Sequence, residues 1–160
     1  MVNVIPYKAY SNLLEAPYVL GTSDCFTVIR NILKQAFDIV IPNYARPFRF
    51  HAPELNLMLR IAQEDFFIER PAVDIKDLQP GDILCIAVNS ETVNHVGIYV
   101  GNNLFVHQLH NCSPREENLS LNWLRRIKYV FYHEDVDQAK PQFDALDLMP
   151  NYKKVMNYVE

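Results

Sequence analysis

The chain has 160 residues, 49% of them hydrophobic, with three cysteines and a formal net charge of -4. This is one domain's length with enough apolar residues for a proper core, so a disordered chain is excluded, and the acidic balance, read as ordinary solubility, excludes a nucleic-acid binder, which needs a basic surface. An odd, low cysteine count (Cys25, Cys85, Cys112) excludes a disulfide framework, no apolar run approaches the roughly 20 residues of a membrane helix, and Met1 to Pro6 lacks the basic start and apolar run expected of a signal peptide.

Pro6 can take the first position of a short helix over 7–15, with Tyr10, Leu13 and Leu14 on one side. Pro17 to Ser23 reads as a loop. The next helix is expected from Asp24 or Cys25 to about Phe37, capped by Ser23 or Asp24 and burying Phe26, Ile29, Leu33 and Phe37. Pro42 and Pro47 make the stretch 39–49 an extended connection. Pro53 can begin a further helix through Gln63, with Leu55, Leu59 and Ala62 as core positions. Leu78-Gln79-Pro80-Gly81-Asp82 is a turn. The pattern then changes to strands. Ile83 to Val88 is apolar throughout, as a central buried strand would be. Residues 95–100 and 104–109 form a hairpin about Gly101-Asn102-Asn103, and 127–132 reads as a final strand. Helices first and strands after predict an α+β domain over 1–133, its N-terminal helices packed on an antiparallel sheet. Residues 134–160 are expected to be an acidic C-terminal extension. Within it Tyr152, Val155, Met156 and Val159 mark one face of a short amphipathic helix, which docks on its own domain or on a partner.

Three residues carry the chemistry. Cys25 sits where a polar loop becomes a helix. The helix N-terminus carries partial positive charge, and a nearby imidazole could take the thiol proton; both favour the thiolate. The alternative is a structural thiol, since free cysteine is commonly buried. In the hairpin, strand alternation places His95, Gly97 and Tyr99 on one face and Val96, Ile98 and Val100 on the other. If the aliphatic faces of the two strands coincide, the register is even. His107 then shares the face of His95, directly opposite or one diagonal step away, close enough for one imidazole to orient the other. Gly97 leaves space beside His95 for a helix end or a substrate backbone. Two unrelated polar residues at strand ends are the alternative. A metal site from His95, His107, His110 and Cys112 is a competing use. However, His107 and His110 fall on opposite faces if the strand continues, and no Cys-x-x-Cys or His-Glu-x-x-His pattern is present. No metal or cofactor is expected.

These blocks resemble the NlpC/p60 cysteine peptidases, which cleave the peptide stems of bacterial cell wall. Pro17-Tyr18-Val19-Leu20-Gly21 followed by Asp24-Cys25 resembles the family's Tyr, Gly and Asp-Cys block. Leu78 to Leu84 resembles its Pro-Gly-Asp turn and strand. Asn94-His95-Val96-Gly97-Ile98-Tyr99-Val100-Gly101, then Phe105-Val106-His107, resembles its His-Val-Gly-Ile-Tyr hairpin. The match runs over about 17–133. Asp24 to Arg30 ending in Val-Arg fashion, Ile41-Pro42, Asn94-His95 and the segment from His107 through Glu116 are most similar to the K-type tail-assembly branch of long-tailed phages. The resemblance implies a papain-like fold and a Cys-His-His triad. Cys25 would attack the amide, His95 would be base and then acid, and His107 would orient His95. Tyr18 and the Cys25 N–H would bind the oxyanion; Asp24 is a helix cap at the substrate-binding loop. It also implies a peptidoglycan peptide substrate, other tail proteins as partners, and a place in the virion reached without a signal peptide. The family's common Asp-Cys-Ser-Gly appears here as Asp24-Cys25-Phe26-Thr27, so Phe26 changes the groove wall. A structural tail-tip or assembly protein on the same fold is the other reading. Acyl transfer on a lipid or other amide is a third.

Overall fold

The structure, a computed structural model, describes residues 4–44, 57–63, 67–70 and 74–136. Helix α1 spans Cys25–Phe37, α2 Leu57–Ala62 and α3 Leu121–Leu124. The strands are β1 Phe67–Glu69, β2 Ile83–Ile86, β3 His95–Gly101, β4 Leu104–His107, β5 Arg115–Asn118 and β6 Ile127–His133. They form one antiparallel sheet in the order β1-β6-β2-β3-β4-β5. The α+β architecture expected from the order of elements is met.

Helix α1 begins where its cap dictates. Asp24 is extended, and its Oδ1 accepts from the N–H groups of Phe26 (3.2 Å) and Thr27 (3.0 Å), while Thr27 Oγ1 accepts from the Asp24 N–H at 2.6 Å. This reciprocal capping box satisfies amides that have no partner inside the helix. Asp24 Oδ2 also accepts from the Gly21 N–H at 2.7 Å, so one carboxylate fixes both the helix start and the loop before it. The expected stripe of Phe26, Ile29, Leu33 and Phe37 is buried, joined by Val28, Ile32 and Ala36. It packs on the sheet face carrying Ile83, Val96, Ile98, Val100 and Val106. Burial of each such side chain contributes about 1.5–3 kcal/mol. The other sheet face, with Leu84, Ile86, Tyr99, Phe105 and Val130, is covered by Leu78, Leu119 and the α3 residues Trp123 and Leu124.

The hairpin follows its sequence. Asn102 and Asn103 both take left-handed conformations, with φ of 52° and 61°, as a two-residue hairpin turn matched to strand twist requires. Gly101, at φ 97°, takes up the register shift that follows Tyr99. The register is even: Gly97 lies opposite His107, Ile98 opposite Val106 and Tyr99 opposite Phe105.

Several expectations need correction. Residues 7–15 form two short 3-10 turns, Tyr7–Ala9 and Ser11–Leu13, not one helix. Tyr10 breaks them with φ -141°. Nine residues ahead of a proline make a marginal helix, and the break lets the buried Tyr10 hydroxyl donate to Glu116. Strand β2 ends at Ile86, after which the Asn94 side chain holds the connection, accepting from the Val88 N–H (2.8 Å) and donating to its carbonyl (2.9 Å). Strands β1 and β5 were not expected; they are the sheet edges, β1 only three residues long and β5 polar throughout, so neither shows apolar alternation. Of the helix over 53–63, the start and Leu55 lie outside the described residues, whereas Leu59 and Ala62 are buried. Pro47 also lies outside them. Val136 is buried near Phe37 and Gly81, so the packed body reaches past His133. The rest of the extension, with the helix expected at Tyr152, lies outside the described residues.

The Pro-Gly-Asp turn owes its aspartate to an ion pair. Asp82 is buried, its two oxygens accepting from Arg70 Nη2 (2.8 Å) and Nε (2.9 Å), with Oδ2 also accepting from the Gln79 N–H (2.9 Å). Arg70 stacks on the Tyr132 ring. Removing one partner strands the other. Asp82→Ala is therefore expected to lower stability by about 3 kcal/mol, read as a lower urea midpoint at unchanged slope. A midpoint unaltered from wild type would assign the pair no structural weight.

Candidate active site

Cys25 is the first residue of α1, 2% exposed. Three observations place it at the His95 end of the hairpin. It lies near enough to Cys85 to act on it electrostatically, and Cys85 pairs with Val96, the residue after His95. Gln108, the residue after His107, donates through Nε2 to Ser23 Oγ at 3.3 Å, two residues before the thiol. The Tyr18 hydroxyl, in the loop leading to Cys25, meets Nδ1 of His110 at 3.1 Å. The loop and helix start are thus tied to the end of β4 and the turn that follows it.

The two histidines are in direct contact. His107 lies opposite Gly97, one diagonal step from His95, and His95 Nε2 is 2.9 Å from His107 Nδ1. Both rings are buried, at 5% and 0% exposure. His107 is held between Phe105, stacked on it at 4.5 Å, and Trp123, edge-on at 4.9 Å. Burial, and next the positive charge His107 can carry, push the His95 pKa down to about 3. Both imidazoles therefore rest neutral at neutral pH; for His107 burial lowers the pKa against the opposing pull of Glu117.

Reading the sequence missed Glu117. Its Oε2 lies 2.6 Å from His107 Nε2. Phe105 pairs with Glu117 across β4 and β5, which puts Glu117 one diagonal step from His107 on the same face. Alternation across β5 is the signal that would have found it, but that strand reads as a polar loop. Arg115, also on this face, approaches Glu117 Oε1 at 3.9 Å.

The remaining expected residues have other surroundings. A Cβ on Gly97 would sit 3.0 Å from Phe105 Cδ2 and 3.3 Å from both His107 Cβ and the Val106 carbonyl. The space beside Gly97 is thus filled by β4 itself, not by a helix end or a substrate backbone, and its missing side chain is what lets His107 approach His95. Asp24 caps α1 through Oδ1 and holds the preceding loop through Oδ2. Tyr18 is half-buried, its ring edge-on to His110 at 4.9 Å. Cys85 is buried, and its pKa is raised by that burial first, so it stays a thiol. Gln108 is buried too, and among the described residues its Oε1 has no hydrogen-bond partner. The competing ligand set of His95, His107, His110 and Cys112, disfavoured from the sequence, is not assembled: among the described residues no three His, Cys, Asp or Glu side chains converge on a metal-sized site. Nor is any described helix long and apolar enough to cross a membrane.

The model of the NlpC/P60 family matches residues 15–128. The chain is 26% identical over 127 residues to tail tip assembly protein K of Escherichia phage lambda, covering 79% of this chain and 62% of that protein. It is 25% identical over 126 residues to tail tip assembly protein K of Escherichia phage N15, covering 78% of this chain and 50% of that one. The chain therefore spans less than two thirds of the length of these relatives. Among solved structures, a lipoprotein-like NLP/P60 family protein from Staphylococcus aureus subsp. aureus Mu50 superposes with a TM-score of 0.50 at 20% identity, over 82% of this chain and 41% of that one. This last likeness concerns the fold alone. The resemblance to the family and to its phage tail branch, drawn from the motifs, is met.

Proposed function

Because the chain belongs to the NlpC/P60 family, we propose that it is a cysteine endopeptidase that cuts peptidoglycan stem peptides as a component of a phage tail. The observation that carries this reading is the buried His95–His107 contact at 2.9 Å. With Nε2 turned toward His107, His95 keeps Nδ1 for the thiol. An isolated imidazolium is disfavoured there by burial, so proton transfer from Cys25 forms the thiolate and the imidazolium together, each stabilising the other. The thiolate adds to the amide carbonyl. The oxyanion is assigned to the Cys25 backbone N–H, a first-turn amide, and to Tyr18, whose hydroxyl must then turn from His110. His95 protonates the departing amine as the C–N bond breaks. Water, deprotonated by the same imidazole, then hydrolyses the thioester and restores the thiol. Relatives named for tail tip assembly support a virion setting with other tail proteins as partners, reached through the acidic C-terminal extension.

A second reading has its own observation. Cys25, His95 and His107 are all nearly inaccessible, at 2%, 5% and 0% exposure, as befits a structural tail component that retains the fold without using the chemistry. Digestion of purified peptidoglycan, with products identified by mass spectrometry, separates the two. Stem-peptide fragments are expected from wild type and not from Cys25→Ala. No fragments from either, across several wall types, would transfer the assignment to the structural role.

A further inference from the structure

We propose that Glu117 is a positioning residue that sets the tautomers of both histidines, leaving the lone pair of His95 on Nδ1. The inference rests on the peptidase reading above for its catalytic meaning. It rests on geometry for its substance. Glu117, His107 and His95 stand on three adjacent strands, β5, β4 and β3, each one diagonal step from the next on a single face. Their contacts are 2.6 Å from Oε2 to Nε2 of His107 and 2.9 Å from Nδ1 of His107 to Nε2 of His95.

The direction of each hydrogen bond follows from the end of the chain of contacts. A carboxylate only accepts, so His107 donates from Nε2. A neutral imidazole has one N–H, so Nδ1 of His107 is an acceptor. The hydrogen at the 2.9 Å contact must then belong to His95 Nε2. His95 in turn has its lone pair on Nδ1, the only nitrogen left to receive a thiol proton. Without Glu117, His107 is released to the other tautomer, with its hydrogen on Nδ1. It would then donate to His95 Nε2, and His95 would carry its own hydrogen on Nδ1, where it cannot act as a base. Removing the partner that fixes a histidine's tautomer commonly costs large rate factors. The neighbouring Glu116 cannot substitute, because it points to the opposite face, where it accepts from Tyr10.

The test uses the full chain labelled with 15N-histidine, the signals assigned through His95→Gln and His107→Gln. At neutral pH His107 and His95 are each expected to show a pyridine-type Nδ1 and a pyrrole-type Nε2. In Glu117→Ala both rings should move toward mixed tautomers, and iodoacetamide should alkylate Cys25 about 10–100-fold more slowly. Glu117→Gln, whose amide oxygen can still accept from His107, should restore the tautomers and most of the rate. A His107 hydrogen on Nδ1 in wild type overturns the proposal, and that spectrum decides even if Glu117→Ala does not fold. A folded Glu117→Ala protein with unchanged spectra and alkylation overturns it as well. Neither readout needs a wall substrate. Wild type that cuts no peptidoglycan yet shows the expected tautomers would end the peptidase reading and leave the tautomer assignment standing.

Discussion

His95→Gln is expected to lower the rate of stem-peptide cleavage by about 10³- to 10⁴-fold, the range of a lost general base and triad member. Glutamine is close to histidine in reach and its amide N–H can still donate to His107 Nδ1, so the buried contact survives. What disappears is a group that can take the Cys25 proton and return it to the leaving amine. At about 1.4 kcal/mol per tenfold, the loss is about 4–6 kcal/mol of transition-state stabilisation. The measurement is single-turnover hydrolysis of a soluble stem peptide, beside iodoacetamide labelling of Cys25. Both rates should fall, and the pH dependence of labelling should revert toward that of an ordinary thiol. A variant within tenfold of wild type in both would remove His95 from the chemistry. His107→Asn supplies a graded control. Asparagine can accept from His95 through its amide oxygen, so a smaller loss is expected than for His95→Gln.

The residues that declared themselves in the sequence are those whose role depends on local pattern. Ser23 or Asp24 before an amphipathic run reads as a cap; the structure assigns the cap to Asp24 and adds the box with Thr27. Asn102-Asn103 between alternating strands marks the turn, and the matching aliphatic faces of the two strands give the even register, reached through the shift between Tyr99 and Gly101, that puts His95 and His107 on one face. What stayed hidden depends on contacts between distant segments. Glu117 lies in a polar edge strand with no apolar alternation to mark it, and only the pairing of β4 with β5 brings it to His107. Tyr10 fitted a helical stripe, yet its partner is Glu116, 106 residues away. The space at Gly97 was visible as a missing side chain, but not that β4 fills it. Asp82 looked like turn chemistry, and the turn is real; its half-buried partner Arg70 directly follows a three-residue edge strand that the sequence did not announce.

Acidification is expected to destabilise the fold through the same histidines that serve the site. The folded-state pKa of His95 is about 3, lowered chiefly by burial, against 6.5 for an unperturbed histidine. Between those values the unfolded chain binds a proton that the native state refuses, so stability rises with pH across this window and is lost as pH falls through it. The slope is about 1.4 kcal/mol per pH unit for each such group, so lowering the pH to 4 costs about 3 kcal/mol through His95 alone. His107 acts in the same direction, since burial outweighs Glu117. Carboxylates in ion pairs also weaken in acid, so the diagnostic is a difference. Urea unfolding of wild type and His95→Gln at pH 7, 5.5 and 4 should show the variant losing less stability on acidification, by about 3 kcal/mol over the whole range. Equal losses in the two proteins would mean that the His95 ring takes up its proton in the native state. The ring would then titrate as an ordinary histidine despite its burial, whereas a difference of the expected size shows that His95 stays neutral in the native state, a base awaiting the proton of Cys25.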